Sequence, residues 1–253
     1  MIEKIDIMDI VLLAKKAGDA IMKIYNQDFK VEYKADNSPL TQADKVANDI
    51  VEQGLSKLFK KIPILSEEGQ GVLYKEREKW QYFWLVDPLD GTKEFIKKNG
   101  EFTVNIALIH KDSPVVGVVY APALGICYWA QEGKGAFKDG TRLPLKQRSN
   151  NCYKVVVSRS HMSIETQDFI DGIITNQKLE LVPIGSSLKI CLIAEGEARV
   201  YPRMGPTMEW DTAAAHAIVN ESGFSLKRYK DGSIQPKFLY NKHDLMNDWF
   251  VVS

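Results

Sequence analysis

The sequence predicts a mixed α and β fold built in layers. Three observations lead there. Apolar residues recur at helical spacing near the N-terminus. The run Tyr82-Phe83-Trp84-Leu85-Val86 has the composition of a buried strand. Helical and strand-like segments then interleave through both halves of the chain.

Ile7, Ile10, Val11, Ala14, Ala20, Ile21 and Ile24 place an amphipathic helix over residues 7–25. A loop is expected from Asn26 to Leu40. Thr41 opens a second helix, with Val46, Ile50, Leu55 and Leu58 on its apolar face. Lys61 to Leu65 is a short apolar run. After Tyr82–Val86, strands are expected at Val104–Ile109, Val115–Tyr120 and Ile126–Ala130, with Gly133-Lys134-Gly135 as a hairpin turn. The polar stretch Lys146 to Asn151 divides the chain into a first part, 1–148, and a second, 149–253. Beyond it come a strand (Lys154–Val157), a helix (Ile164–Thr175), a helix (Ser186–Glu195), a strand (Ala198–Pro202) and a helix (Asp211–Glu221) stopped near Gly223.

Composition narrows the function. Of 253 residues, 45% are hydrophobic and 26% charged, which excludes a disordered or collagen-like chain. Lys plus Arg and Asp plus Glu both count 33, so the formal net charge is zero and no basic excess points to nucleic acid or a membrane surface. Any anionic ligand needs a local device. Cys127, Cys152 and Cys191 are odd in number and far apart, which argues against a disulfide framework or a thiolate zinc site. His110, His161 and His243 lack metal-ligand spacing, and His216, on an Ala-rich segment, reads as a packed core residue. The N-terminus shows no signal peptide, and the longest uncharged run, Ser113 to Gln131, reads as strand–turn–strand rather than a membrane span. A cytoplasmic setting is expected.

The most informative segment is Asp87-Pro88-Leu89-Asp90-Gly91-Thr92. It puts two carboxylates at the end of a hydrophobic strand, where α/β proteins place their sites. A helix starting at Gly91 or Thr92 would aim N–H groups at a phosphate. Two carboxylates beside a phosphate repel it unless a hard cation lies between, and an oxygen-only set favours Mg²⁺. A plain turn with Asp90 as helix cap explains the same residues. Each other acid also has a plain account: Glu67 and Glu68 as a solvated pair, Asp211 as an N-cap, and Asp44 as partner of Thr41 in a capping box.

The joint pattern is more specific. Ser38-Pro39-Leu40-Thr41-Gln42-Ala43-Asp44, Leu65-Ser66-Glu67-Glu68, Asp87 through Thr92 and Trp210-Asp211-Thr212-Ala213-Ala214 resemble the motifs of the Mg²⁺-dependent, lithium-sensitive phosphatases of the inositol monophosphatase superfamily. The resemblance covers nearly the whole chain. Leu40, often Val in the family, is a conservative departure. Asp90-Gly91-Thr92-Lys93-Glu94-Phe95-Ile96, Asn99-Gly100-Glu101-Phe102-Thr103-Val104-Asn105, Gly185-Ser186-Ser187-Leu188-Lys189 and Tyr201 through Asp211 are most similar to the bacterial 3′(2′),5′-bisphosphate nucleotidases of the CysQ type.

The resemblance implies a layered α-β-α-β-α sandwich of the sugar phosphatase type. It implies that Glu67, Asp87 and the Leu89 carbonyl bind one Mg²⁺, and that Asp87, Asp90 and Asp211 bind a second, with a third ion joining weakly once substrate is present. The four acids carry −4, which two Mg²⁺ ions balance. Gly91 and Thr92 would offer N–H groups to the scissile phosphate. Thr92 and Asp44 would orient or deprotonate a metal-activated water that attacks directly, with Glu67 also in the catalytic set and Glu68 behind the ligands. The implied substrate is adenosine 3′,5′-bisphosphate, giving AMP and phosphate. Lys189 and Arg203 are candidates for the remote 5′-phosphate, and Ser187, Ser158 and Arg159 are weaker ones. No nucleic-acid partner or transmembrane segment is expected. A monomer and a homodimer stay open, as does peripheral attachment to the inner membrane.

Three rivals remain. A haloacid-dehalogenase phosphatase has one residue between its two Asp residues, whereas Pro88 and Leu89 separate Asp87 from Asp90. Inositol monophosphatase or fructose-1,6-bisphosphatase activity would use the same acids. A non-catalytic nucleotide sensor would require a broken acid set, and none of the five acids is replaced.

Overall fold

The computed structural model describes residues 2–33, 39–145, 152–160 and 162–253. Its first elements are α1 (Ile7–Tyr25), β1 (Val31–Tyr33), β2 (Pro39–Thr41), α2 (Gln42–Leu58), β3 (Ile64–Ser66), α3 (Tyr74–Arg77), β4 (Tyr82–Asp90) and α4 (Thr92–Ile96). Next come β5 (Thr103–His110), β6 (Ser113–Ala121), β7 (Ile126–Gln131), β8 (Gly135–Lys138) and β9 (Thr141–Arg142). The second half holds β10 (Cys152–Ser158), α5 (Ile164–Asp171), β11 (Lys178–Ile184), α6 (Leu188–Ala194), β12 (Tyr201–Arg203), α7 (Glu209–Glu221), β13 (Leu226–Lys230), β14 (Ser233–Gln235) and β15 (Phe250–Val252).

Strands β3 to β9 form one seven-stranded sheet in sequence order. β3 and β4 run parallel and the later pairs antiparallel. β4 is apolar from Tyr82 to Val86 because both its faces are covered there. Trp84 and Val86 face the cluster formed with α1 and α2, while Phe83 and Leu85 face the cluster that includes Ile190, Ile218 and Phe250. A second sheet has the order β12-β15-β13-β14, and the parallel pair β10–β11 joins its side through a bridge between Val155 and Val200. Helices α6 and α7 lie between the sheets, and α5 packs outside the second one. The layers are α-β-α-β-α, as the resemblance implies.

Helix α7 is thin for a reason. It carries Ala213, Ala214, Ala215 and Ala217, all buried, and lies directly on β6. Gly117 of β6 completes the fit, because a Cβ there would collide with the Ala214 carbonyl oxygen. His216 is a core residue as expected. Its Nδ1 lies 2.9 Å from the Tyr240 hydroxyl, and burial pushes its pKa down to about 3.

Several local expectations change. The stretch expected as a loop from Asn26 to Leu40 contains the antiparallel pair β1–β2. The buried face of α2 is Ala43, Ala47, Val51 and Leu55, while Leu58 is exposed, so small residues bring α2 close to the sheet. α5 stops at Asp171 rather than Thr175. The strand expected at 198–202 lies at Tyr201–Arg203. α7 starts two residues before Asp211, so Asp211 is its third residue and not its cap. The Gly133–Gly135 turn does join β7 to β8. The chain division expected at 148/149, the Ser38 end of the first motif and His161 lie outside the described residues, as does the Leu40 side chain.

Replacing Gly117 by Ala is expected to destabilise the protein by about 1–3 kcal/mol, since overpacking at a closed interface displaces backbone. Denaturant unfolding measures it, and an unchanged midpoint would show that α7 can shift freely on β6.

Candidate active site

Register alone brings Glu67 to Asp87. In the parallel ladder Ser66 pairs with Val86, and the Glu67 N–H donates to the Val86 carbonyl at 3.1 Å. The next residue on each strand is an acid. Ser66 Oγ, donating to Asn48 Oδ1 at 2.6 Å, ties the end of β3 to α2.

Asp87 and Asp90 are three residues apart, and in a regular strand they would point to opposite faces. A bulge corrects the phase. Asp87 pairs with Asn105 and Asp90 with Thr103, so β4 uses one more residue than β5 across this interval. The Leu89 N–H donates to Asp87 Oδ1 at 3.1 Å and closes the turn around Pro88. Both carboxylates then line one cavity of about 670 Å³.

Asp211 reaches that cavity from the first turn of α7, where its Oδ2 accepts the Met208 N–H at 2.8 Å. A buried knot holds this helix start. Glu209 is fully buried and accepts from the N–H groups of Asn241 (2.7 Å) and Lys242 (3.0 Å) and from Lys242 Nζ (2.6 Å). Arg77 locks the same segment, donating to Asn241 Oδ1 at 3.0 Å and to the His243 carbonyl at 2.8 Å.

Carboxylate oxygens of Glu67, Asp87 and Asp211 come within 4.8 Å of one another, the one such group of three among the described residues. Asp90 stands beside this group, with its Oδ2 heavily used. That oxygen accepts Ser187 N–H (2.6 Å) and lies 2.9 Å from Ser187 Oγ and 3.2 Å from Asn105 Nδ2. Ser187 Oγ is also 2.6 Å from the Asp211 carbonyl, so this serine ties two of the acids together rather than facing the cavity alone. Asn105 belongs to a motif of the resemblance, but no role in the site is expected for it from the sequence. Its signal was available: one amide in the otherwise apolar run Val104–Ile109.

Asp44 does two jobs with its two oxygens. Oδ2 accepts the Thr41 N–H and hydroxyl, both at 2.7 Å, as the capping box of α2. Oδ1 faces Thr92 Oγ1 at 3.3 Å. Thr92 Oγ1 is also 3.4 Å from the Leu89 carbonyl oxygen, itself at the cavity. The negative charge of Glu68 acts on Asp44 and Lys45. Gly91 turns into α4 at φ +90°, where a Cβ would approach the Glu101 carbonyl to 3.1 Å. Lys189, Arg203 and Ser158 line the same cavity, and Arg203 Nη2 donates to the Pro206 carbonyl at 2.8 Å. Arg159 is instead committed to Glu101.

The acids are mutually uncomfortable. Burial, and then the charges of Glu67 and Asp90, hold the Asp87 carboxyl well above the ordinary range. Burial also raises Asp90, against the opposing pull of Lys189. Burial followed by the Asp90 charge pushes Asp211 to about 8. Burial lowers Lys189, opposed by Asp90. A crowd of carboxylates with only oxygen donors fits a hard divalent cation, which would supply the missing positive charge.

The layered fold holds an acidic cage, a candidate cation site, at the end of the parallel pair β3–β4 at one edge of the seven-stranded sheet, where it opens on the cavity. The chain belongs to the inositol monophosphatase family, whose model matches residues 2–248; the family is metal-dependent. Curated relatives include the 3′(2′),5′-bisphosphate nucleotidase CysQ of Salmonella typhimurium, 51% identical over 83% of this chain and 85% of that protein. The protein of the same name from Escherichia coli K12 is 50% identical over the same shares. Among solved structures, CysQ from Bacteroides thetaiotaomicron matches with a TM-score of 0.86 at 44% identity, covering 97% of this chain and 96% of that one. Among the described residues, no helix is long and apolar enough to cross a membrane.

Proton linkage follows from these shifts. Without an ion, Asp211 is protonated up to about 8, against an ordinary 3.8. Its contribution to stability is full below 3.8 and is lost as pH rises through about 8. An ion requires the carboxylate, so Mg²⁺ binding near pH 7 is expected to release protons and to raise Tm more at pH 8 than at pH 6. Titration calorimetry in buffers of different ionisation enthalpy counts the protons; binding enthalpies that are equal after buffer correction for zero release would contradict the expectation.

Proposed function

We propose that this chain is a Mg²⁺-dependent 3′(2′),5′-bisphosphate nucleotidase that hydrolyses adenosine 3′,5′-bisphosphate to AMP and phosphate. The observation that carries the reading is the meeting of Glu67, Asp87 and Asp211 oxygens within 4.8 Å at the cavity. Similarity to the CysQ nucleotidases over most of the chain supports the substrate class.

Glu67, Asp87, Asp90, Asp211 and the Leu89 carbonyl would hold two Mg²⁺ ions, with a third joining alongside substrate. When bound, these ions supply charge neutralisation, an acidified water and stabilisation of the leaving oxygen. The chain's own groups then do the rest. Gly91 and Thr92 present N–H groups to the scissile phosphate and hold it in line. The Thr92 hydroxyl orients the attacking water, and Asp44 Oδ1, 3.3 Å from it, takes the proton through that hydroxyl. Phosphoryl transfer through a loose transition state asks for positioning and charge balance, so direct attack by water needs no phosphoenzyme. Lys189 and Arg203, both at the cavity, pair with the remote 5′-phosphate. The three cysteines are free, which fits the reducing, cytoplasmic setting of such an enzyme. Peripheral attachment to the inner membrane and assembly as a homodimer are compatible with the same reading.

The test is Mg²⁺-dependent phosphate release from adenosine 3′,5′-bisphosphate, inhibited by lithium. Dominant turnover of inositol phosphates would overturn the substrate assignment, and metal binding without phosphate release would favour a sensor. Asp90→Asn should abolish release. Asp44→Asn and Thr92→Ala should each lower kcat by about 10²- to 10⁴-fold, the range of a lost proton-transfer group. A phosphoaspartate trapped at Asp87 would exclude direct attack by water.

A further inference from the structure

The cavity has a wall that the phosphate chemistry does not use. The segment running from the end of β10 into α5 contributes Ser158, Ser160, Met162, Ser163 and Thr166 to the lining. Two bonds seat its inner end against β12. Ser163 Oγ donates to the Met204 carbonyl at 2.8 Å, and the Met204 N–H donates to Thr166 Oγ1 at 3.2 Å.

Two carboxylates from the first half of the chain hold its outer end. Glu94, buried in α4, accepts the Ser160 hydroxyl at 2.6 Å. Lys97 Nζ reaches the same hydroxyl at 3.2 Å. Glu101, in the connection from α4 to β5, grips Arg159 in a fork, Nε to Oε2 and Nη2 to Oε1, each at 2.6 Å. Its Oε2 also accepts the Gly185 N–H at 2.8 Å, just before Ser186 and Ser187. Arg159 Nη2 is further shared with the Pro183 carbonyl at 2.7 Å. These segments touch directly. A Cβ at Gly185 would stand 2.6 Å from Glu94 Cγ and 2.8 Å from the Glu101 carbonyl.

Neither acid belongs to the cage, and both stand beside a cavity meant for a polyanion. Left without partners they would repel it. Instead the Arg159 fork neutralises Glu101, and the Ser160 hydroxyl, which Lys97 Nζ approaches in turn, donates to Glu94. Both acids are close in sequence to Thr92, so α4 and its outgoing connection span from the scissile-phosphate end to this wall. A bound inorganic phosphate would meet only the first end. A nucleotide would also reach the second.

We propose that Glu94 and Glu101 are specificity-determining positioning residues: by gripping Ser160 and Arg159 they fix the wall that receives the nucleoside portion of the substrate. The proposal rests on the nucleotidase activity proposed above. It concerns binding of the far portion of the ligand and leaves the hydrolytic step alone, so it separates KM from kcat.

The experiment compares native protein with Glu101→Gln and Glu94→Gln, using adenosine 3′,5′-bisphosphate as substrate and AMP and inorganic phosphate as product inhibitors. The expected result is a rise of about tenfold in KM and in the Ki for AMP, with kcat and the Ki for phosphate within about twofold of native, a loss of the size of one charge-assisted contact. The exchange Glu101→Arg with Arg159→Glu should bring KM back toward the native value. If Glu101→Gln does not fold, Arg159→Lys, which keeps the charge and removes the fork, carries the same comparison. Parallel weakening of AMP and phosphate, or no change in either, overturns the proposal. Native protein that releases no phosphate from the bisphosphate overturns the activity itself, and is told apart because it fails before any variant is made.

Discussion

Repulsion among carboxylates is the constraint around which this structure is arranged. Asp87, Asp90, Asp211 and Glu67 are drawn to one cavity by three different elements; burial is the largest cause raising the first three pKa values, and neighbouring carboxylates add to it at Asp87 and Asp211. Buried like charges without counter-ions destabilise a fold. They persist only where surrounding structure over-determines their positions and where a divalent ion can convert the penalty into affinity.

That over-determination is visible bond by bond. β4 is buried on both faces, so its end cannot drift, and the bulge after Asp87 sets the facing of Asp90 through backbone pairing rather than side-chain choice. Ser187 and Asn105 then converge on a single oxygen of Asp90, which leaves its other oxygen for the cavity. Asp211 is held from behind by Glu209, whose charge is matched by Lys242 and by two backbone N–H groups. The contrast is instructive. Glu209 is fully buried and satisfied within the protein, whereas of the cage acids only Asp87 is fully buried and Glu67, Asp90 and Asp211 are half-buried at the cavity. A buried acid two residues from Asp211 would have looked equally functional in sequence.

Much of this was legible in the sequence where chemistry and local pattern coincide. Asp87 and Asp90 follow an apolar run long enough to be a buried strand, Thr41 and Asp44 carry capping spacing, and Glu67 follows a short apolar segment. What was hidden depends on pairing between distant segments. Nothing local in Ser187 says that it will hold Asp90, and its N–H reaches across 97 residues to do so. Strand β11 was missed because it lies at an edge with alternating exposure and the mixed pattern Lys178-Leu179-Glu180-Leu181. The start of α7 was misplaced because Asp211 looks like a cap, while the carboxylate reaches back from the third helical position to the Met208 N–H. The apolar face of α2 was misassigned for a related reason: close packing selected Ala43 and Ala47 over the larger Val46 and Ile50.

The two ends of the cavity are built from different material. The cage acids sit on β4, at the end of β3 and on the first turn of α7, elements pinned between layers. The wall residues Ser158, Ser160, Met162, Ser163 and Thr166 lie from the last residue of β10 to the first turn of α5, the Gly185–Ser187 turn is a connection, and Ser186 holds a left-handed backbone at φ +48°, unusual for a residue with a side chain. Rigid elements fix where a phosphoryl group can be attacked, and connections decide what is attached to it. In this chain the residues that narrow the ligand's far portion are those, such as Glu94 and Glu101, that tie the connections of the second half to α4 and its outgoing segment.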